Sequence, residues 1–186
     1  MDALVPAFVA ALLTQIGDRS PWLVAILADR YAKPFTVAFA ALLAHAIGNA
    51  IAGLGGVLVA PMLTPNARQL LVALALGFAA VGALWRMRPP DRLQGWRLGA
   101  WLTPLLGVFI LALGESTQFF TLVFAAQSGW LAIVGATLGA GSVNLAAALL
   151  GEQAWRRMPI RGFRIGFGLL ALAGAAVLAA GALRLI

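Results

Sequence analysis

The chain has 186 residues, of which 62% are hydrophobic and only 10% are charged, and its formal net charge is +7. A soluble domain carries about 25% charged residues, so this composition indicates an integral membrane protein. The absence of cysteine excludes disulfides and thiolate metal sites, and a single histidine argues against a His-rich zinc or copper site.

Six apolar segments are long enough to cross a bilayer as helices, which takes about 20 residues each. In chain order the six predicted spans are 6–28, 34–60, 67–85, 104–126, 130–150 and 163–183. The sequence therefore predicts an all-α integral membrane protein with six transmembrane helices joined by short connections.

The distribution of lysine and arginine predicts the orientation of these spans. Ten basic residues fall in the loops after spans one, three and five, and two fall on the other side. The ten are Arg30, Lys33, Arg86, Arg88, Arg92, Arg97, Arg156, Arg157, Arg161 and Arg164. Positive loops face the cytoplasm, so both termini are predicted on the non-cytoplasmic side, and contact with anionic lipid is favoured over nucleic acid. The start of the chain, Met1-Asp2, lacks the basic region of a cleavable signal peptide.

The two halves of the chain repeat one polar feature in the middle of an apolar span. Asp18 in the first span corresponds to Glu115 in the fourth, and each follows a glycine directly. Because three spans per half is an odd number, the second half is inverted relative to the first, as in many transporters. We therefore divide the chain into a three-helix repeat (1–88), a basic cytoplasmic linker (89–101) and an inverted three-helix repeat (102–186).

Carboxylates at bilayer depth are costly, at about 2.5–3.5 kcal/mol each on insertion scales, so one in each half predicts a functional site. On a continuous helix, residues three and four apart share a face, which places Thr14 and Gln15 beside Asp18 and Gln118 near Glu115. Carboxylate, amide and hydroxyl oxygens form the shell that Ca²⁺ and Mn²⁺ prefer. The same carboxylates can take up protons.

The predicted cation-binding and proton-coupling residues are Asp18, Glu115, Gln15, Gln118, Ser20 and Thr117, with Asp18 and Glu115 as the metal ligands. Secondary candidates are Thr14, Arg19, Ser116, Asn49, Asn144 and His45. For each of these residues, a purely structural role stays open as the alternative. The acids and amides can serve only as hydrogen bonds between helices, and a lone histidine is more often a packed residue than a proton relay.

Glycine and proline in these spans predict close packing and a local break. Pro21 leaves the carbonyl one turn earlier without its helical partner, and we expect that carbonyl to be a further ligand. The pairs Gly135/Gly139 and Gly162/Gly166 have the small-residue spacing that is typical of helix-packing faces.

The segment Gln15-Ile16-Gly17-Asp18-Arg19-Ser20 resembles the signature Glu-x-Gly-Asp-Lys/Arg-Ser/Thr of the Gdt-type cation/proton antiporter family. Its members are manganese and calcium transporters of Golgi, chloroplast and bacterial membranes. Residues 113–118, Leu-Gly-Glu-Ser-Thr-Gln, resemble the second motif of that family. The resemblance covers nearly the whole chain. It implies an exporter of Mn²⁺ or Ca²⁺ in exchange for protons, in a bacterial-type inner membrane, with the ion as substrate and no cofactor.

The motifs of this chain also depart from the pattern of that family, in which each motif carries two acids. Gln15 and Ala112 stand where the first acid of each motif is expected, and Glu115 stands where the second motif has aspartate. Ser116 replaces the basic residue that follows. Only two of the four expected carboxylates remain, so the resemblance implies a site with less negative charge.

Three function classes stay open from the sequence. The first is a divalent-cation transporter, and the second has the same fold with a monovalent cation, protons or a small organic solute as cargo. The third is a non-transporting accessory subunit with a decayed site. An enzyme is not expected, because no nucleophile–base pair, phosphate loop or thiolate site is visible. The expected partners are the cation, protons and lipids, and the sequence leaves open whether the protein forms a homo-oligomer.

Overall fold

The computed structural model describes residues 3–184, and over that range it contains eight α-helices and no strand. The helices are α1 (Leu4–Ile16), α2 (Arg19–Tyr31), α3 (Pro34–Val59), α4 (Pro65–Leu84), α5 (Gly99–Ala112), α6 (Ser116–Ser128), α7 (Leu131–Arg157) and α8 (Ile160–Ala182). A short 3₁₀ turn, Ala60–Met62, follows α3. The predicted all-α class is therefore confirmed for the described residues.

Four of these helices are long and apolar enough to cross a membrane by length and composition: α3 with its 3₁₀ turn, α4, α7 and α8. The pair α5 and α6 passes the same test together, but it is bent by 67° at the break between the two helices. α1 is apolar but has only 13 residues. The molecule is thus a multi-pass membrane protein, and its six-span inverted arrangement stays a prediction.

The first and fourth predicted spans are interrupted, as the local break predicted near Pro21 implied for the first span but not for the fourth. The first breaks at residues 17–18 and the fourth at residues 113–115. Glycine costs a helix interior about 1 kcal/mol relative to alanine, and in both breaks a glycine precedes the acid. The acids themselves adopt extended backbone, with ψ of 172° at Asp18 and 150° at Glu115. Each acid is therefore the N-cap residue of the helix that follows it.

The remaining predicted spans agree better with the structure. Spans two, three and six match α3, α4 and α8 to within three residues at each end. α4 begins where expected because the Thr64 hydroxyl accepts a hydrogen bond from the Ala67 N–H at 3.3 Å. α7 continues beyond its predicted end at residue 150 to Arg157, past a non-helical residue, Gly151, at φ +73°. Asp29 Oδ2 accepts a hydrogen bond at 2.7 Å from the N–H that follows Gly151.

The core is built around α3 and α7, which contact each other at the centre. α3 also packs against α5 and α6, and α7 also packs against α1 and α2. Each broken helix pair therefore rests on the long helix of the other half of the chain. α4 and α8 pack mainly against each other, and α4 also contacts α6. The element order of broken pair, long helix, long helix occurs twice.

The three connections predicted on one side of the membrane meet in the structure. Arg30, near the end of α2, donates hydrogen bonds to the carbonyls of Leu93 at 2.8 Å and Trp96 at 3.0 Å. Arg92, in the 85–98 connector, forms an ion pair with Glu152 near the end of α7. These ends therefore lie on a common face of the protein, which we call the basic face.

One of the two predicted glycine packing pairs is confirmed and the other is wrong. A Cβ atom added to Gly135 or Gly139 would overlap the backbone of α1, whose Phe8 carbonyl lies against Gly139. At Gly162 and Gly166 an added Cβ atom would meet nothing within 4 Å. Small residues are therefore required where α7 crosses α1, whereas this part of α8 has no close neighbour at its glycines.

The contrast between the glycines of α7 and α8 predicts different effects of the same substitution. Gly139→Ala is expected to destabilise the protein by about 1–3 kcal/mol, because the added methyl group forces α1 away from α7. Gly166→Ala is the matched control and is expected to leave stability unchanged or slightly raised. Thermal unfolding of the purified proteins in detergent measures both, and equal melting temperatures would contradict the packing described.

Candidate functional site

The site is built at the two helix breaks. Asp18 precedes the first turn of α2, Glu115 precedes the first turn of α6, and neither side chain caps its own helix by a hydrogen bond. Helix N-termini stabilise negative charge, and the C-terminal carbonyls of α1 and α5 end at the same breaks. Discontinuous helices of this kind place positive and negative helix ends close to the transported group in several transporter folds.

The Glu115 carboxylate caps a helix from the other half of the chain. Its Oε1 accepts hydrogen bonds from the Ser20 N–H at 3.2 Å and from the Ser20 hydroxyl, both in the first turn of α2. Its Oε2 accepts a hydrogen bond from Gln15 Nε2 at 2.7 Å. Glu115 is therefore held by three donors, and it joins the first break to the second.

Gln15 is the centre of a buried set of hydrogen bonds. Its Nε2 also donates to Thr117 Oγ1 at 3.1 Å, and its Oε1 accepts from Asn144 Nδ2 at 3.4 Å. The hydroxyls of Thr14 and Thr117 lie 3.0 Å apart. The structure thus brings six of the predicted residues into one group, the carboxylate cluster: Thr14, Gln15, Ser20, Glu115, Thr117 and Asn144.

The helix-phase reasoning from the sequence is corrected by these contacts. Gln15 and Asp18 do not share the face of one helix, because α1 ends at Ile16 and α2 begins at Arg19. Gln15 instead contacts the acid of the other half. Pro21 lies in the first turn of α2, where its missing N–H is not needed, so the open carbonyls near residue 17 result from the helix break.

Asp18 has a different environment from Glu115. Its Oδ2 is buried and has no hydrogen-bond partner within residues 3–184. It lines an open pocket of about 550 Å³ together with Glu115, Ser116, Arg19 and other residues of the breaks, α4 and α8. Asp18 is therefore the carboxylate that is available to a ligand, whereas Glu115 is already engaged.

A second group of polar side chains connects α3, α6 and α7. Asn49 Oδ1 accepts a hydrogen bond from Thr121 at 3.0 Å, and Asn49 Nδ2 donates to Thr137 at 3.2 Å. Sequence reasoning named Asn49 as a secondary candidate but did not find Thr137. The signal that could have identified Thr137 is a polar residue at helical spacing inside an apolar span.

The other two predicted residues of this region are His45 and Gln118. Within residues 3–184 their side chains form no hydrogen bond to the carboxylate cluster. His45 is fully buried, and both ring nitrogens are without a partner in the described part of the chain. Gln118 packs against Gly48 of α3, where an added Cβ atom would overlap its side-chain amide. The Gln118 side chain is therefore directed at α3, although its backbone N–H bonds to the Glu115 carbonyl at 3.3 Å.

Arg164 is the pocket residue that sequence reasoning did not identify. It was counted among the loop arginines that set topology, yet it lies inside α8 and lines the pocket of Asp18 and Glu115. Its Nη2 donates to the carbonyls of Gly82 at 2.7 Å and Trp85 at 3.0 Å, at the end of α4. The available signal was its position one residue inside the predicted sixth span.

The charges of the pocket restrict how a metal ion can bind. Among residues 3–184 no group of three or more His, Cys, Asp or Glu side chains comes together. Two carboxylates face three arginines in the pocket lining: Arg19, Arg86 and Arg164. A cation bound here would take two carboxylate ligands at most and would complete its shell with neutral oxygens.

Broken membrane helices with a carboxylate at each break, facing a common pocket, are an arrangement that is typical of membrane transport proteins. Comparison with known families agrees. The family model described as "Divalent cation/proton antiporter GDT1" matches residues 3–91 and 100–185. The chain belongs to this family, as the resemblance of its two motifs implied, and the family transports divalent cations.

The chain is also similar to a protein of Vibrio cholerae serotype O1 that bears the name "Putative manganese exporter". The two are 33% identical over 168 residues, which cover 86% of this chain and 82% of that protein. No solved structure matches the chain.

Removal of one hydroxyl tests the carboxylate cluster. Thr117→Val keeps the side-chain shape but deprives Gln15 Nε2 and Thr14 Oγ1 of a buried partner, and we expect a loss of about 1–3 kcal/mol. Thr36→Val on α3, outside the cluster, is the matched control and is expected to have little effect. Thermal unfolding in detergent compares them, and a Thr117 variant as stable as the Thr36 variant would contradict this network.

Proposed function

We propose that the protein is a secondary transporter that exports Mn²⁺, Ca²⁺ or both in exchange for protons. The observation that carries this proposal is the pair of helix breaks, each of which contributes one carboxylate to the same pocket. The family to which the chain belongs supports a divalent cation as cargo and protons as the counter-ion. The name of the Vibrio cholerae relative supports manganese in particular.

Asp18 and Glu115 are the ligands in this proposal, and they have different roles. The unpartnered Asp18 Oδ2 is the first oxygen that an entering cation meets. Glu115 joins the coordination shell of the ion when the ion displaces the hydrogen-bond donors of Gln15 or Ser20 from its carboxylate. The side-chain oxygens of Gln15 and Ser20 are then free to turn toward the ion. Two carboxylates neutralise one divalent charge, and neutral amide and hydroxyl oxygens suit a hard cation.

Proton exchange follows from the same two groups. A carboxylate that has lost its cation in a low-dielectric site is stabilised by taking up a proton, so protons and the metal ion compete for the same oxygens. We assign secondary roles to Arg19, Ser116, His45 and Asn49, with His45 as the buried group best suited to relay a proton between α3 and the cluster.

The side on which the pocket opens fits export. Besides the acids, its lining includes Trp85, Arg86 and Met87, which belong to the connector on the basic face. An excess of basic residues marks the cytoplasmic side of a membrane protein. We therefore place the pocket opening on the cytoplasmic side of a bacterial inner membrane, with both termini outside, so that the pocket would load cations from the cytoplasm.

Gln15 replaces one of the acids that the family motif contains, and its contacts indicate what the replacement does. Its amide N–H bonds to the Glu115 carboxylate, where a second carboxylate would repel it. Because Ala112 replaces the corresponding acid of the second motif, the site carries two negative charges instead of four, which suits one divalent ion bound with modest affinity. A monovalent cation is the alternative cargo that this lower charge leaves to be tested.

Neutralisation of Asp18 tests the proposed function. With purified protein in liposomes and an outward proton gradient, Asp18→Asn is expected to lower Mn²⁺ flux at subsaturating Mn²⁺ by about tenfold or more, equivalent to ~1.4 kcal/mol of lost binding. Asp91→Asn is the control, because Asp91 lies in the connector and caps the Leu93 N–H at 2.9 Å, a bond that asparagine can keep.

The same liposomes identify the cargo. Mn²⁺ and Ca²⁺ are expected to dissipate the proton gradient in the wild-type protein, and Na⁺ is not. Equal Mn²⁺ flux in Asp18→Asn and the wild-type protein would rule out the proposed site. If Na⁺ alone dissipated the proton gradient, the cargo would be a monovalent cation and not a divalent one.

A further inference from the structure

The pocket lies between two parts of the molecule that differ in their packing. One wall is formed by the helix breaks, which the core helices α3 and α7 support. The other wall is formed by α4 and α8, which pack mainly on each other. Arg164 belongs to this second wall. It is half-buried, whereas the other two arginines of the pocket, Arg19 and Arg86, are exposed.

The guanidinium of Arg164 is held in place by the end of a helix. Its two hydrogen bonds go to carbonyls at the C-terminus of α4, the negative end of that helix. The hydrogen bonds of Arg164 therefore connect α8 to the end of α4 at the pocket. Its Nε is buried and has no partner among the described residues, so this buried N–H donor remains unused.

The stem of Arg164 lies directly against the first helix break. A Cβ atom added to Gly17 would lie 2.9 Å from Arg164 Cγ, so glycine at this position leaves room for the arginine. The next residue is Asp18, whose Oδ2 is the unused acceptor of the same pocket. Asp18 Oδ2 and Arg164 Nε are thus both buried, both residues line one pocket, and neither atom has a hydrogen-bond partner among residues 3–184.

We propose that Arg164 is a tethered cation that competes with the transported cation for the carboxylates. When no ion is bound, its charge compensates Asp18 and Glu115. When a divalent ion binds, repulsion moves Arg164 and the attached α4–α8 pair away from the breaks. This inference rests on the proposed function, because it assigns a second cation to the same site.

The competition explains how two acids can face three arginines in a site for cations. A positive charge that is tethered beside the ligands lowers their affinity for the ion, and low affinity permits release. It also couples ion binding to the position of α4 and α8, because a ligand shifts a conformational equilibrium only through different interactions with the two states. Arg164 is therefore a positioning residue that acts through its charge.

The test measures Mn²⁺ binding to purified protein in nanodiscs, by the electron paramagnetic resonance signal of free Mn²⁺. Arg164→Gln is expected to lower the dissociation constant for Mn²⁺ by about fivefold or more, the lower end of typical coupling between sites. The matched control is Arg68→Gln. Arg68 also lies near the start of a helix, donates to a carbonyl, that of Ala60 at 2.9 Å, and has a buried, unpartnered Nε, but it does not line the pocket.

A charge-restoring label separates the effect of charge from an effect on folding. The chain has no cysteine, so Arg164→Cys introduces a single thiol. One preparation is labelled with aminoethyl methanethiosulfonate, which adds a positive charge, and the other with methyl methanethiosulfonate, which adds none. The charged adduct is expected to restore the wild-type dissociation constant to within about twofold, and the neutral adduct is expected to bind about fivefold more tightly.

The outcomes distinguish this inference from the proposed function. Unchanged or weaker Mn²⁺ binding in Arg164→Gln, or equal binding by the two adducts, would overturn the competition while Mn²⁺ binding by the wild-type protein still supports the transporter. Absence of Mn²⁺ binding in the wild-type protein would overturn both. Tighter binding that the charged adduct reverses, with Arg68→Gln unchanged, would support the inference.

Discussion

The contact between Glu115 and the first turn of α2 is the interaction on which the rest of the site depends. A helix N-terminus inside an apolar protein needs acceptors for its free N–H groups, and a buried carboxylate needs donors. Glu115 and Ser20 satisfy both needs at once across the two halves of the chain. Because this contact is made at helix breaks, it also brings Asp18 into the same pocket with an oxygen that remains unused.

The apolar segments and the carboxylates within them could be predicted from the sequence because they depend on local composition. A span of about 20 apolar residues and an acid within it can be recognised from the sequence alone. A local break was predicted in the first span from glycine and Pro21, but the break before Glu115 was not. Glycine costs a helix interior only about 1 kcal/mol and an acid less, so the tertiary partner decides whether the helix continues. That partner is Glu115 for α2, 95 residues away along the chain.

Arg164 illustrates a second limit of sequence reasoning. An arginine near the end of an apolar span is most often a topology signal, and its charge alone does not distinguish that role from a role in a pocket. The distinguishing features are three-dimensional: the carbonyls at the end of α4 that hold it and Gly17 that makes room for it. Conversely, Gly162 and Gly166 have the spacing of a packing face, but a Cβ atom added at either would contact nothing within 4 Å in the described part of the chain.

The central claim is that one cation site is formed jointly by the carboxylates of the two helix breaks. Crystals grown with Mn²⁺, measured at the manganese absorption edge, test it most directly through the anomalous difference density. The account predicts a peak in the pocket, with oxygens of both Asp18 and Glu115 about 2.0–2.4 Å from the ion, the usual range for hard-cation ligands. A peak bound by only one of these acids, or a peak on the basic face alone, would contradict it.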